Sequence, residues 1–292
     1  MRNRIQRRKR GGTRLNLNYN ALFALLVVVA VVVLICVSSV GDFLSEKVFA
    51  PIFTALKTEK PKGTPNPSST QSGAVIDMGG NSEAKVTLKA ISCFSLQMGV
   101  YSSEDKASVA AGALRTQGAA GYVFLDNGKY RVLAAGYSDE ANAKSVKSRL
   151  LEDGKDCKIF NFNADEAVFL VTSTNENIKE IETIFETLYT VLDETEKAAL
   201  SFDKDKKTVD EGKISVSDIL AKVKKVSDSL TIPTENETVK RIVDCLNSFS
   251  DKLTVLKSSN ASDTVDFAAE LKYLSLELAN LYVALADSLG VG

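Results

Sequence analysis

The sequence predicts an α+β protein. A βαββαβ unit forms a four-stranded antiparallel sheet with two helices on one face; a transmembrane helix and a linker precede it, and an α-helical bundle follows. Three observations carry this reading. An uncharged run lies near the N-terminus. One segment is written twice, as FSLQMGVYSSEDKASVAAGALRTQG from Phe94 and as YRVLAAGYSDEANAKSVKSRLLEDG from Tyr130. After Asn163 the chain becomes a series of amphipathic helical patterns.

The 292 residues are 45% hydrophobic and 25% charged, a globular composition with room for more than one domain. The net charge of -1 hides an asymmetry: Arg2, Arg4, Arg7, Arg8, Lys9, Arg10 and Arg14 all precede the first acidic residue, Asp42. Between them and Asp42 lies ALFALLVVVAVVVLICVSSV, from Ala21 to Val40. It has the length of about 20 apolar residues that a helix needs to cross a bilayer. Basic flanks stay inside, so residues 1–20 read as a cytoplasmic basic tail, 21–40 as the transmembrane helix, and everything beyond as extracytoplasmic. The expected location is the cell membrane, with a single pass. A cleaved signal peptide fits less well, because the run exceeds an ordinary signal core and no small-x-small site follows cleanly. The branched Ile35 before Cys36 argues against lipidation.

Residues 41–89 read as a juxtamembrane segment and Pro-rich linker. In GDFLSEKVFAPIFTALK, Leu44, Val48, Ile52 and Leu56 recur every fourth residue, but Pro51 interrupts the pattern. An interfacial helix and an apolar juxtamembrane stub both remain open. TEKPKGTPNPSSTQSG then has the composition of a semi-rigid tether.

The repeat occupies 90–163. At a constant offset, Tyr101, Ser102, Glu104, Ala107, Leu114, Gly118 and Phe124 recur as Tyr137, Ser138, Glu140, Ala143, Leu150, Gly154 and Phe160. Each copy reads strand, helix, strand. The first helix starts near Ser102 or Ser103, buries Ala107, Ala110 and Leu114, and stops at Gly118. In the second, Ser138 caps, Ala143, Val146 and Leu150 are buried, and Gly154 stops it. Asp126-Asn127-Gly128 signals a tight hairpin between the copies. Two such units close one core in the βαββαβ, ferredoxin-like plan. Residues 74–163 are then expected to fold alone, with one sheet face free.

Residues 164–292 read as a helical C-terminal domain. One stripe runs through Ile178, Ile181, Phe185, Leu188 and Leu192, and a second through Ile219, Val223, Val226 and Leu230. Further stripes run through Val239, Ile242, Leu246, Phe249 and Leu253, then Phe267, Leu271, Leu274, Leu278, Leu281 and Leu285. Such helices bury their stripes against each other as a bundle.

Catalysis finds little material. The chain has no histidine, which removes the commonest general base and zinc ligand. Cys36, Cys93, Cys157 and Cys245 show neither metal-ligand spacing nor a disulfide framework. Asp203 with Asp205, and Asp139 with Glu140, fall in a loop and at a helix start, where solvated charges are ordinary. No catalytic residue, metal or cofactor is expected.

The opening Gln97-Met98-Gly99-Val100-Tyr101 with its Ser and acidic follow-on, the strand Tyr130-Arg131-Val132 and the pair Gly136-Tyr137 together resemble the sporulation-related repeat, or SPOR, domain over about Ser92 to Phe162. The resemblance implies binding to peptidoglycan, favouring glycan strands stripped of stem peptides, at division or sporulation septa. It implies a glycan-binding role for Gln97 and Arg131 and, more loosely, for Val100, Lys129 and Ile159. The second copy has Ala135-Gly136-Tyr137 where the family often has Gly-Pro-aromatic, and no tryptophan supplies a stacking platform. Alternation puts Phe94, Leu96 and Met98 under the helices, and Ser95, Gln97 and Arg131 on the free face.

The expected function is therefore a membrane-anchored peptidoglycan-binding protein of the bacterial cell envelope. The alternative is a structural adaptor whose bundle recruits a wall or division protein, making a protein partner for the C-terminal helices a candidate. Nucleic acid is not an expected partner: RNA-recognition modules share the plan, but no interleaved aromatic run appears on the third strand. Cysteine labelling tests the topology. On intact cells, Ser69→Cys reacts with an impermeant thiol reagent and Asn3→Cys does not; the reverse pattern, or release of soluble protein, refutes it.

Overall fold

The computed structural model describes residues 71–205 and 207–291. The expected basic tail and transmembrane helix, with most of the linker, lie outside them. Among the described residues no helix is long and apolar enough to cross a membrane.

The repeat folds into β3 (Ile91–Tyr101), α1 (Glu104–Arg115), β4 (Tyr122–Asp126), β5 (Lys129–Leu133), α2 (Glu140–Glu152) and β6 (Lys158–Ala164). The four strands form an antiparallel sheet in the order β4-β5-β3-β6. Asn127 at φ 47° and Gly128 at φ 73° turn the β4–β5 hairpin, as an Asn-Gly pair does when both central residues need positive φ. Ala107 and Ala111 of α1 pack on Val132, and Ala143 of α2 packs with Leu96 and Cys157, so both helices lie on one face. Ala143 is buried, whereas Leu150, expected to be fully buried, is only partly so. The cap of α2 is Asp139, whose carboxylate accepts from the Ala141 N–H. Ser138, expected in that role, instead donates its N–H and hydroxyl to Glu196.

Two strands occupy the stretch expected to be linker, and a third opens the stretch expected to be helical. β1 (Gln71–Asp77), β2 (Ser82–Leu88) and β7 (Ala167–Ser173) form a second sheet in the order β1-β7-β2, with β1 parallel and β2 antiparallel to β7. The alternation of buried Ala84-to-Leu88 and Ala167-to-Ser173 positions is a period-two signal. The two sheets share a ribbon. Leu88 stands opposite Ala167 and Ile91 opposite Ala164, so β2–β3 and β6–β7 keep one register across Lys89-Ala90 and Asp165-Glu166.

Four helices follow: α3 (Asn175–Asp205), α4 (Val209–Ser227), α5 (Glu237–Lys257) and α6 (Thr264–Ser288). Their stripes meet in one core, which continues through α3 onto Ile76, Val86, Leu88, Phe169 and Val171 of the second sheet. Thr208 and Glu211 form a reciprocal capping box on α4, and Asn236 and Asp263 cap α5 and α6.

The face expected to be free is not free. Helix α6 carries a second apolar stripe, in which Leu276 and Ala279 are buried with Cys93, Tyr122, Leu133 and Phe162 of the first sheet and with Ala120 just before β4, and Tyr273 and Val283 pack against them. Polar contacts fix its path. The Lys272 ammonium donates to the Gly118 carbonyl at 2.7 Å, Asn280 to the Tyr122 hydroxyl at 3.1 Å, and the Tyr282 hydroxyl to the Lys89 carbonyl at 2.7 Å. Burial pushes the Tyr122 phenol and the Cys93 thiol up to about 12, so both stay neutral under the helix. At Gly136 the helix leaves no room for a side chain: a Cβ there would stand 2.7 Å from the Cys93 sulfur and from a Leu276 methyl. Residues 74–163 alone would expose this face and leave β1 and β2 without β7, which works against their folding independently.

Leu276→Ala should cost about 2 to 5 kcal/mol, the range for a large-to-small core change. Urea unfolding followed by tyrosine fluorescence and by helical circular dichroism should shift together; loss of one signal without the other would show that α6 does not couple the sheet to the bundle.

Candidate functional site

In an antiparallel pair, directly opposed residues share a face, so the pairings sort every strand residue. β3 sets Gln97 against Leu133 and then Gly99 against Val132, which makes Met98 the extra residue of a bulge. The bulge inverts the alternation. Gln97 and Val100, three apart, therefore point the same way, and Val100 faces Arg131. Lys129 stands opposite Asp126, Phe124 opposite Arg131, Lys158 opposite Gln97 and Phe160 opposite Ser95. All these share the face away from α1 and α2. Ile159 does not: it stands opposite Leu96 and packs with Leu96 and Ala143 on the helix-covered face. The structure thus brings Gln97, Arg131, Val100 and Lys129 together and leaves Ile159 out.

Arg131 is the centre of what remains accessible. Its Nε and Nη2 donate to one oxygen of Asp126 at 2.8 and 2.5 Å, and its Nη1 donates to Gln97 Oε1 at 2.6 Å. The guanidinium lies over the Phe160 ring, 4.4 Å from its centroid. Charge-assisted bonds in a fork and a stacked ring fix the plane of the group. Its side chain is 23% exposed, and that of Asp126 22%. Gln97, expected to touch a ligand, is 8% exposed and lies beneath Arg131. It positions the guanidinium.

Three phenylalanines close the rest of the face. Phe124 and Phe160, equivalent residues of the two repeats, meet at 5.4 Å, and Phe124 stacks on Phe162 at 5.3 Å and 15°. β4 and β6 are the two edges of the sheet, with β5 and β3 between them. Strands so placed are about 14 Å apart, so the edge side chains lean inward over the central pair. Below them Ser95 is fully buried. The surface left to solvent is a band across the hairpin end, made by Arg131, Asp126, Val100, Lys129 and Lys158, with Phe124 and Phe160 partly exposed. Sequence reasoning missed Asp126, Phe124 and Phe160. The recurrence of Phe124 as Phe160 was the available signal.

Residues 92–160 match the family model of the SPOR domain. No curated protein and no solved structure matches the chain. The SPOR domain is a peptidoglycan-binding domain and not a catalytic one. The match covers β3 to β6 and leaves β1, β2, β7 and helices α3 to α6 outside; the covering helix α6 is thus an addition to the SPOR unit. Cys93, Cys157 and Cys245 are free and buried. Among the described residues no group of His, Cys, Asp and Glu is placed to hold a metal ion.

Arg131→Ala removes the partner of both Asp126 and Gln97. Leaving such groups unsatisfied costs about 1 to 3 kcal/mol, more than the few tenths usual for an exposed truncation. A double-mutant cycle with Asp126→Ala, read by thermal and urea unfolding, should give a coupling of more than about 0.5 kcal/mol; additive effects would mean the pair is not formed in solution.

Proposed function

We propose that the chain is a membrane-anchored peptidoglycan-binding protein of the bacterial cell envelope, recognising denuded glycan strands at division or sporulation septa. The observation that carries this reading is the SPOR match over 92–160, the segment that builds the Arg131 surface. The run from Ala21 to Val40 and its basic flank serve as the anchor. The glycan lies on the hairpin-end band, since α6 and the three phenylalanines fill the rest of the face. Val100 and Lys129 contact it there. The guanidinium of Arg131 has five N–H donors; three serve Asp126 and Gln97, and the others are available to sugar hydroxyl and acetamido groups. Stacked on Phe160, the flat cation takes the place of the missing tryptophan platform.

Co-sedimentation of the detergent-solubilised full chain with amidase-treated peptidoglycan tests the proposal. Arg131→Ala should weaken binding about tenfold, equivalent to roughly 1.4 kcal/mol. Arg131→Lys keeps the charge without the planar fork and should bind nearly as weakly. Gln97→Ala should weaken binding less, and Asn142→Ala, exposed on α2, should not matter. If both Arg131 variants sediment like the parent while remaining folded, the surface is not the site.

A further inference from the structure

We infer that the outer edge of β4 is a dimerisation surface, on which a second copy of this chain adds its own β4 across a two-fold axis at Phe124. β4 is an outer strand of the first sheet. The two-residue turn Asn127-Gly128 makes Asp126 and Lys129 a pair that exchanges both main-chain hydrogen bonds, and such pairs alternate along a hairpin. Phe124 with Arg131 is the next of them, and Tyr122 with Leu133 the one after. Val123 and Leu125 therefore turn their N–H and C=O groups away from β5, toward the outer edge. Natural edges are guarded by polar or charged side chains, proline or a bulge. The opposite edge, β6, carries exposed Asn161 and Asn163. β4 reads Tyr-Val-Phe-Leu-Asp, with Leu125 60% exposed, and its register with β5 runs unbroken from Tyr122 to Asp126.

A groove of about 400 Å³ follows this edge, between Glu104, Ser108 and Arg115 of α1 and Val123 and Leu125 of β4. It has opposite charges at its two ends. Arg115 is held over the start of β4: its Nε donates to the Ala120 carbonyl at 3.2 Å, its Nη2 to the Gly121 carbonyl at 3.1 Å, and its guanidinium lies 4.9 Å from the Tyr273 ring centroid. Glu104 is exposed at the other end of the same helix, about 16 Å away. A two-fold axis reverses that order, so Glu104 of each copy faces Arg115 of the other. The same axis sets Val123 of each copy against Leu125 of the other as hydrogen-bonded pairs, with their side chains on the α1 face. Phe124 meets Phe124 as a non-hydrogen-bonded pair, where side chains approach closest. Apolar meets apolar, cation meets carboxylate, and the outward main-chain groups of Val123 and Leu125 find partners. An occupant of another kind would have to supply all three, whereas a second copy has them by symmetry. The two four-stranded sheets become one continuous sheet, and the Arg131 residues of the two copies lie on one face of it, three strand spacings or about 14 Å apart. The dimer itself does not depend on what that face binds.

Sedimentation of the detergent-solubilised full chain tests this. A contact this short makes a weak dimer, so the protein mass is followed from about 1 to 200 µM, and the parent should shift from monomer to dimer over that range. Leu125→Lys puts an ammonium into each apolar pair, and Leu125→Pro removes an outward N–H while leaving the bonds to β5 intact. Both variants should stay monomeric at the highest concentration and melt near the parent, since the Leu125 side chain is exposed. Oxidation reads the register. Phe124→Cys should give a disulfide-linked dimer on treatment with copper phenanthroline, because the facing pair comes within disulfide reach, and Asn142→Cys, exposed on α2, should not. A parent that is monomeric throughout the range overturns the inference. So does a dimer that persists in both Leu125 variants, which another surface would then hold. A folded, dimeric Phe124→Cys variant that does not cross-link, or an Asn142→Cys variant that cross-links as readily, overturns the axis at Phe124.

Discussion

The architecture depends on one helix being apolar on two sides. Helix α6 gives Phe267, Leu271, Leu274, Leu278 and Leu285 to the bundle, and Leu276 and Ala279 to the first sheet. Each apolar face of a helix must be buried against something, and here the two faces are covered by different layers. Magnitudes decide whether this contact is a cover or a switch. Burial of Leu276 alone is worth about 1.5 to 3 kcal/mol, and the bonds from Lys272, Asn280 and Tyr282 add about 0.5 to 1.5 kcal/mol each. Lifting the helix would also expose Cys93, Leu133 and Phe162. A few sugar contacts on a wet surface return less than that, so the helix stays in place and the accessible band is the part of this face that a ligand can reach.

Within that band, polar groups sort by depth. Gln97 is at the bottom, Arg131 and Asp126 in the middle, and the two lysines at the rim. A buried amide beside a half-buried carboxylate would be costly without a donor that serves both; the guanidinium is that donor. The same bonds that satisfy the interior therefore fix the orientation of the group that meets solvent. Surface chemistry and stability are not separable at this residue, because a change at Arg131 alters the contacts beneath it as well as the surface above.

The sequence made some of this legible and hid the rest for physical reasons. Internal repetition made the βαββαβ unit readable, because each half carries its own period switch, helix stop and turn residues. Asp126-Asn127-Gly128 placed the hairpin to the residue. The strands β1 and β2 were masked by their surroundings: Gly79, Gly80 and a Ser- and Pro-rich approach look like tether, while Ala84, Val86 and Leu88 alternate inside them. β7 is a short apolar run that abuts a long helix, and periodicity alone cannot separate a short strand from a helix start. The bulge at Met98 is invisible in composition, and it is what brings Val100, a candidate taken from the family resemblance, onto the face of Gln97 and Arg131. Ile159 fell on the wrong face for the converse reason, since its family position was carried over without its register. The second stripe of α6, from Tyr273 through Leu276 to Ala279 and Val283, was present in the sequence. A bundle helix explained the first stripe and left the second without a use.

The ribbon shared by the two sheets has a further consequence. Its bend has two arms of equal length, Lys89-Ala90 on one side and Asp165-Glu166 on the other, with intact pairing above and below. Equal arms act as a ruler that sets how one sheet tilts against the other, and α6 is cut to that tilt, since its Tyr282 hydroxyl ends on the Lys89 carbonyl while Leu276 sits on Gly136. A residue added to one arm has no counterpart on the other and must bulge, turning one sheet against its neighbour. Length changes confined to one arm are therefore far more disruptive than their position between strands suggests.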